Sequence, residues 1–237
     1  MKRILIAIPV TSGDWDEVML KLCTDVANST THFEVRHLEK GVDELESALD
    51  EGLVVGPLLE ILAGESENFD GVIVDCYSDP GVYAARELLQ KPVIGIGEAA
   101  EYLACAIGNR IGIVTTSERT RFTIEEKSRA RGTKDRIVDL RCWGDSPLGL
   151  LSNDAHALAG LKEQVNLMRS ENAVDTVIIA CGSNLALEFN ISKEVGLPVV
   201  VPEQAAVKVM EAILECNLPV SPAFPSPAHW VKLPSND

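Results

Sequence analysis

An α/β fold with two pseudo-symmetric lobes, each a short and mostly parallel sheet flanked by helices, is predicted by three observations. Short apolar runs alternate with longer amphipathic segments along all 237 residues, the pattern of strands joined by helical crossovers. The chain also repeats itself: Asp70-Gly71-Val72-Ile73-Val74-Asp75-Cys76 is echoed 105 positions later by Asp175-Thr176-Val177-Ile178-Ile179-Ala180-Cys181. Arg3-Ile4-Leu5-Ile6 and Thr11-Ser12 likewise match Arg110-Ile111-Gly112-Ile113 and Thr116-Ser117, and Lys91-Pro92-Val93-Ile94 matches Leu197-Pro198-Val199-Val200. Finally, a hydrophobic content of 46% suits an ordinary globular chain with room for two lobes of about 100 residues each.

The elements follow in order. Ile4–Ile8 is a continuous branched run, expected as a first buried strand. It is too short to span a bilayer, and no small-residue cleavage site follows to make it a secretory leader. Asp14–Ser29 has an acidic first turn and helical periodicity, Phe33–Leu38 is a second strand, and Leu45–Ala63 is a second helix. Gly71–Val74 is a strand, and Pro80 marks the opening of a helix over Gly81–Gln90, capped by Ser78 or Asp79. Val93–Ile96 and Ala99–Ile107 complete the first copy as strand and helix. The second copy gives strands at Arg110–Val114, Arg136–Leu140, Thr176–Ile179 and Val199–Val201. Its helices are expected over Thr116–Ala130, Asp154–Ser170, Ala186–Val195 and Gln204–Glu215, with Ser117 as a cap and Glu118 in the first turn. The Pro-rich stretch from Pro219 to Pro227 should lie extended. The duplication places one lobe at residues 1–97 plus 205–237 and the other at 98–204.

A net charge of −15 argues against nucleic acid and anionic membrane as partners, which need basic patches. A small-molecule substrate is expected, and a homo-oligomer is left open. The six cysteines form no C-x-x-C pair and the four histidines have no ligand spacing, so no metal site is expected. No P-loop or Gly-rich dinucleotide turn calls for a cofactor. Unpaired thiols in a chain of this size point to the reducing cytoplasm.

In open α/β sheets, ligands bind beyond the carboxyl ends of strands. Cys76, Cys181, Thr11-Ser12 and Thr115-Thr116 all fall at such ends. Two lobes related by a pseudo-twofold axis would bring two equivalent strand ends to one cleft. A pair of thiols there suits removal of a proton from one face of a carbon and delivery of one to the other. With an ordinary pKa of about 8.5, a thiol is readily tuned to act as base or acid near neutrality. Cys76 and Cys181 are therefore the candidate catalytic residues. Thr11, Ser12, Tyr77, Ser78, Thr115, Thr116, Gly182 and Ser183 are candidate substrate contacts, offering hydroxyls or backbone N–H groups to an oxygen that gains charge. Plain helix capping is the competing role for the hydroxyls. Cys23, Cys105, Cys142 and Cys216 lack duplicated partners and are expected to be structural, and Asp14, Asp16 and Glu17 a solvated helix start.

The stretch Cys76-Tyr77-Ser78-Asp79-Pro80-Gly81, then Ala84-Ala85-Arg86-Glu87-Leu88, then Pro92 to Ala100, resembles the aspartate/glutamate/hydantoin racemase superfamily. The likeness is closest to hydantoin and allantoin racemases, and Val114-Thr115-Thr116 and the second cysteine region align in order. It implies a cofactor-independent racemase or epimerase with its site between the lobes, and Cys76 and Cys181 as paired acid and base. A 5-substituted hydantoin-like molecule is the implied substrate. The chain departs from the pattern where those racemases carry Asn-Pro-Asn-Thr, here Ile8-Pro9-Val10-Thr11, and where they carry Ala-Gly-Met, here Gly182-Ser183-Asn184. Maleate isomerase or arylmalonate decarboxylase chemistry on the same scaffold, and a non-catalytic bilobal binding protein, are the alternatives.

Overall fold

A computed structural model describes residues 1–143, 154–180 and 190–220. Two four-stranded parallel sheets are present, each with the same strand order. The first is β2–β1–β3–β4, built from β1 (Lys2–Ile8), β2 (Thr31–His37), β3 (Gly71–Val74) and β4 (Val93–Gly95). The second is β6–β5–β7–β8, built from β5 (Ile111–Thr115), β6 (Ile137–Cys142), β7 (Thr176–Ile179) and β8 (Val199–Val200). β3 and β7 begin at Gly71 and Thr176, the offset of 105 found in the sequence echo. The central strands are buried on both faces, as parallel strands covered by crossover helices must be.

The helices are α1 (Asp16–Val26), α2 (Ala48–Glu65), α3 (Val82–Leu89), α4 (Ile96–Ile107) and α5 (Arg121–Arg131), then α6 (Asp154–Asn172), α7 (Ile191–Val195) and α8 (Pro202–Glu215). α1 turns Met19, Leu22 and Cys23 inward at helical spacing. Helices α4 and α8 pack on each other; α8 touches β3 and β4 of the first sheet, and α4 touches β4 together with β7 and β8 of the second. Their Ala99, Ala100, Ala104, Ala205, Ala206 and Met210 join one core with Ile4, Ile6 and Ile73 from the first sheet and Ile111, Ile113 and Ile178 from the second. Small residues on these two helices let them lie close, so the sheets share a common middle layer.

Several boundaries differ from the sequence expectation. The helix expected from Asp14 begins as a 3₁₀ turn over Gly13–Trp15, with Ser12 accepting the Asp14 N–H at 3.2 Å. Likewise α5 starts at Arg121, after a 3₁₀ turn Glu118–Thr120 that Ser117 caps. Helix α4 starts three residues before the expected Ala99, because a distant side chain caps it. The expected helix over Ala186–Val195 is described only from Ile191. Most of the Pro-rich tail lies outside the described residues. Among the described residues, no helix is long and apolar enough to cross a membrane.

Candidate active site

Strands β1 and β3 are neighbours that end on the same edge of their sheet. Their pairing continues one residue further, where Asp75 N–H donates to Ala7 C=O at 2.9 Å, and Cys76 then leaves the sheet. The second sheet repeats this construction: Ala180 N–H donates to Val114 C=O at 2.8 Å. A cavity of about 100 Å³ opens between these strand ends. Ile8, Pro9 and Val10 line it from the end of β1, and Trp15 and Met19 from the start of α1. Asp75, Cys76 and Tyr77 come from the end of β3, Ala180 from the end of β7, and Ile96 and Glu203 from the first turns of α4 and α8. Asp43, Glu44 and Leu45 complete the lining. A smaller cavity of about 30 Å³ shares Leu45, Cys76 and Tyr77 with it and has Ser78, Thr115 and Thr120 among its lining. The Cys76 side chain thus belongs to both walls, and its Sγ lies 3.5 Å from Ser78 Oγ.

The loop that carries Cys76 is held from several sides. Asp79 N–H closes a turn onto Cys76 C=O at 2.9 Å, and Asp79 itself takes a left-handed φ of 51°. Its carboxylate accepts the N–H groups of Gly97 and Glu98 at 2.9 and 2.8 Å, which otherwise have no acceptor in the first turn of α4. Gly97 is required by this approach, since a Cβ there would sit 2.0 Å from Tyr77 C=O. Arg131, from the end of α5, reaches across to the same loop. It pairs with Asp79 at 2.6 Å and Glu101 at 2.5 Å, donates to Tyr77 C=O at 3.3 Å, and lies 6.0 Å from the centre of the Tyr77 ring. Glu101 is fully buried and also accepts from Ser128 Oγ at 3.0 Å, from Thr133 Oγ1 and from Tyr77 OH at 3.4 Å. Donors surround the Glu101 carboxylate and acceptors surround the Arg131 guanidinium, which is what a buried ion cluster requires.

Burial dominates the electrostatics. It pushes the Asp79 carboxyl up to about 7 against Arg131 and the two backbone N–H groups. It raises the Tyr77 phenol, with the Glu101 charge adding to the effect. The Asp75 carboxyl is also raised, first by burial and then by the charge of Glu203. Two carboxyl groups in one wall of the cavity thus resist being ionised together.

The candidate residues are distributed unevenly. Cys76, Tyr77, Ser78 and Thr115 line one or both cavities. Tyr77 spends its hydroxyl on Glu101, and Thr115 Oγ1 lies 3.0 Å from Thr120 Oγ1. Thr116 is buried, and its Oγ1 has no hydrogen-bond partner among the described residues. Thr11 and Ser12 line neither cavity: Thr11 Oγ1 donates to Asp43, and Ser12 caps the 3₁₀ turn. Cys181, Gly182 and Ser183 lie outside the described residues. Sequence reasoning missed Asp43, Glu44, Asp75, Glu203, Glu101 and Arg131. For Asp75 a signal existed, because its counterpart in the duplicated register is Ala180. Asp16, read as part of a solvated helix start, accepts from His37 Nδ1–H at 2.9 Å. Among the described residues, no group of three or more His, Cys, Asp or Glu could hold a metal ion.

The sequence profile of the family Asp/Glu/Hydantoin racemase matches residues 4–210. The hydantoin racemase of Pseudomonas sp. (strain NS671) is 31% identical over 193 residues, covering 80% of this chain and 76% of that protein. Two solved structures superimpose over nearly the whole length. The allantoin racemase from Klebsiella pneumoniae gives a TM-score of 0.91 at 28% identity, covering 100% of this chain and 97% of that one. The allantoin racemase from Pseudomonas fluorescens gives 0.92 at 26% identity, covering 98% and 100%.

Proposed function

Because the chain belongs to the Asp/Glu/hydantoin racemase family, a family of isomerases, we propose that it racemises a hydantoin-like small molecule by moving one proton at the ring carbon next to a carbonyl. The observation that carries this reading is the position of Cys76. It stands at the carboxyl end of β3, on the wall of a cavity that Ala180, one peptide bond before Cys181, also lines.

In the proposed step, one cysteine as thiolate takes the proton from the stereocentre. The C–H electron pair moves into the adjacent carbonyl and gives an enolate. The other cysteine, as thiol, then delivers its proton to the opposite face. The enzyme is left with the two thiols in exchanged protonation states, ready for the opposite enantiomer. Ser78 and Thr115 on the smaller cavity supply hydroxyls within the same region for the oxygen that gains charge. The Arg131–Asp79 pair keeps the Cys76 loop in register, because proton transfer needs direct reach between the groups.

The test uses enantiopure 5-substituted hydantoins in deuterated water, followed by optical rotation and mass. Cys76→Ala and Cys181→Ala should each lower racemisation by about 10²-fold or more in both directions, the scale of a lost general acid or base. Each variant should still exchange the ring hydrogen of one enantiomer with solvent, and the two should prefer opposite enantiomers. A fully active Cys181→Ala enzyme would overturn the two-thiol mechanism, and exchange of the same enantiomer by both variants would assign the proton to another group.

A further inference from the structure

Residues 38–47, which join β2 to α2, pass along both cavities beside Cys76. Asp43, Glu44 and Leu45 line the larger one, and Leu45, Glu46 and Ser47 the smaller. Backbone and hydroxyl contacts tie this stretch to the half built on the first sheet. Leu38 N–H donates to Val10 C=O at 2.8 Å, Thr11 N–H to Val42 C=O at 2.9 Å, and Thr11 Oγ1 to Asp43. Asp50, in the first turn of α2, accepts Glu46 N–H at 3.1 Å and Ser47 Oγ–H at 2.7 Å. The facing wall of the smaller cavity comes from the second half. Thr115 ends β5, Thr120 closes the 3₁₀ turn that follows, and Thr123 and Ile124 lie in the first turn of α5.

Two ion pairs cross between these walls. Glu46 meets Arg119 of the 3₁₀ turn at 3.7 Å, and Glu51 of α2 meets Lys127 of α5. The second pair is the firmer. Its Glu51 and Lys127 side chains are 16% and 23% exposed, against 65% for Arg119, and water and salt screen an exposed pair. Arg119 still offsets a local repulsion: burial and the charges of Glu44 and Asp50 raise the Glu46 carboxyl, and Arg119 opposes them. Arg119 and Lys127 line neither cavity, so they act on the site only through the stretch they hold. Resting on the racemase reading above, we propose that Arg119 and Lys127 are positioning residues, whose ion pairs hold residues 43–47 as a strap across the cleft beside Cys76 and so retain the bound substrate. When the two pairs part, the strap comes free of α5 and the smaller cavity opens for substrate entry and product release.

The test compares wild type with Lys127→Met and with the charge-swapped double variant Glu51→Lys/Lys127→Glu. Alkylation of Cys76 by iodoacetamide, followed by peptide mass, needs no turnover and reads the strap directly. It should run about threefold or more faster in Lys127→Met and return toward the wild-type rate in the charge swap, as a pair that parts locally requires. With enantiopure 5-substituted hydantoins, Lys127→Met should raise KM about fivefold or more for both enantiomers with a smaller change in kcat, and the charge swap should recover part of that loss. Urea midpoints separate positioning from stability: a variant that loses stability while Cys76 alkylation and KM stay at wild-type values overturns the inference. A charge swap no closer to wild type than Lys127→Met in both readouts overturns it too. If Lys127→Met does not fold, Arg119→Gln, which alters an exposed side chain, is read by the same criteria at about twofold, the smaller effect of a screened pair. If no hydantoin is racemised, the racemase reading fails, and alkylation alone decides the strap: acceleration reversed by the charge swap upholds it, and an unchanged rate ends it.

Discussion

Asp79 sits between opposing influences: burial favours its neutral form, while Arg131 and two backbone N–H groups favour its charge. Its pKa of about 7 in the folded protein lies above the value near 4 of an unfolded aspartate. The sign follows from linkage: a folded pKa above the unfolded one gives stability that is full below about pH 4 and lost as pH rises through about 7. The unfolding free energy of wild type minus that of Asp79→Asn should therefore fall between pH 4 and 7 and level off above, measured by urea midpoints across pH. A difference that rises over this range would mean that Arg131 wins and the carboxylate is held ionised. At this scale the sequence disclosed Cys76, because the duplication placed a second thiol at the same register. It did not disclose the cluster beneath it. Arg131 is 52 positions from Asp79 and 30 from Glu101, and no local spacing rule connects them.

Helix α4 shows the same limit one level up. Its first N–H groups are capped by Asp79, 18 and 19 residues earlier in the chain, whereas sequence rules look for a cap immediately before the helix. The strands were legible because a buried parallel strand is an unbroken apolar run, and β3 and β7 match their expected bounds. The start of α4 was not, since its signal lies in a loop at the end of another strand. Gly97→Ala forces a Cβ against Tyr77 C=O, 2.0 Å away. It should destabilise by about 1–3 kcal/mol, as overpacked sites do, and change the rate at which iodoacetamide alkylates Cys76, followed by mass. Arg131→Met leaves Glu101 and Asp79 without their guanidinium and should cost about 3–5 kcal/mol. Arg131→Lys should recover part of that stability but little of the original Cys76 alkylation rate, because a lysine cannot span both carboxylates with a planar fork. Alkylation unchanged in both Arg131 variants would show that the cluster only stabilises and does not set the loop.

Across the whole molecule, α4 and α8 bind the two sheets through one core, so the lobes should melt together. Trp15 packs against that shared core and Trp143 against the cluster around α6 and β7. In a Trp230→Phe background, variants that keep only Trp15 or only Trp143 should give urea midpoints that agree. Two separated transitions would show lobes that fold independently. The repeat in the sequence foretold two similar, mostly parallel sheets, while their common strand order came only with the structure, and the helix layer between them has no sequence signature beyond its small residues. The match between the two repeats is also incomplete at one telling place, where Asp75 in one copy corresponds to Ala180 in the other. On the proposed two-thiol reading, the two faces of the substrate carbon would then meet a carboxyl on one side and a methyl on the other. Enantiomers free in water have identical free energies, so a racemase must keep kcat/KM equal for both directions at every pH, whatever its own asymmetry. The carboxyl at position 75 can therefore never make the enzyme one-way. It can only divide the same quotient differently, so that one enantiomer is held tighter and turned over more slowly by the same factor.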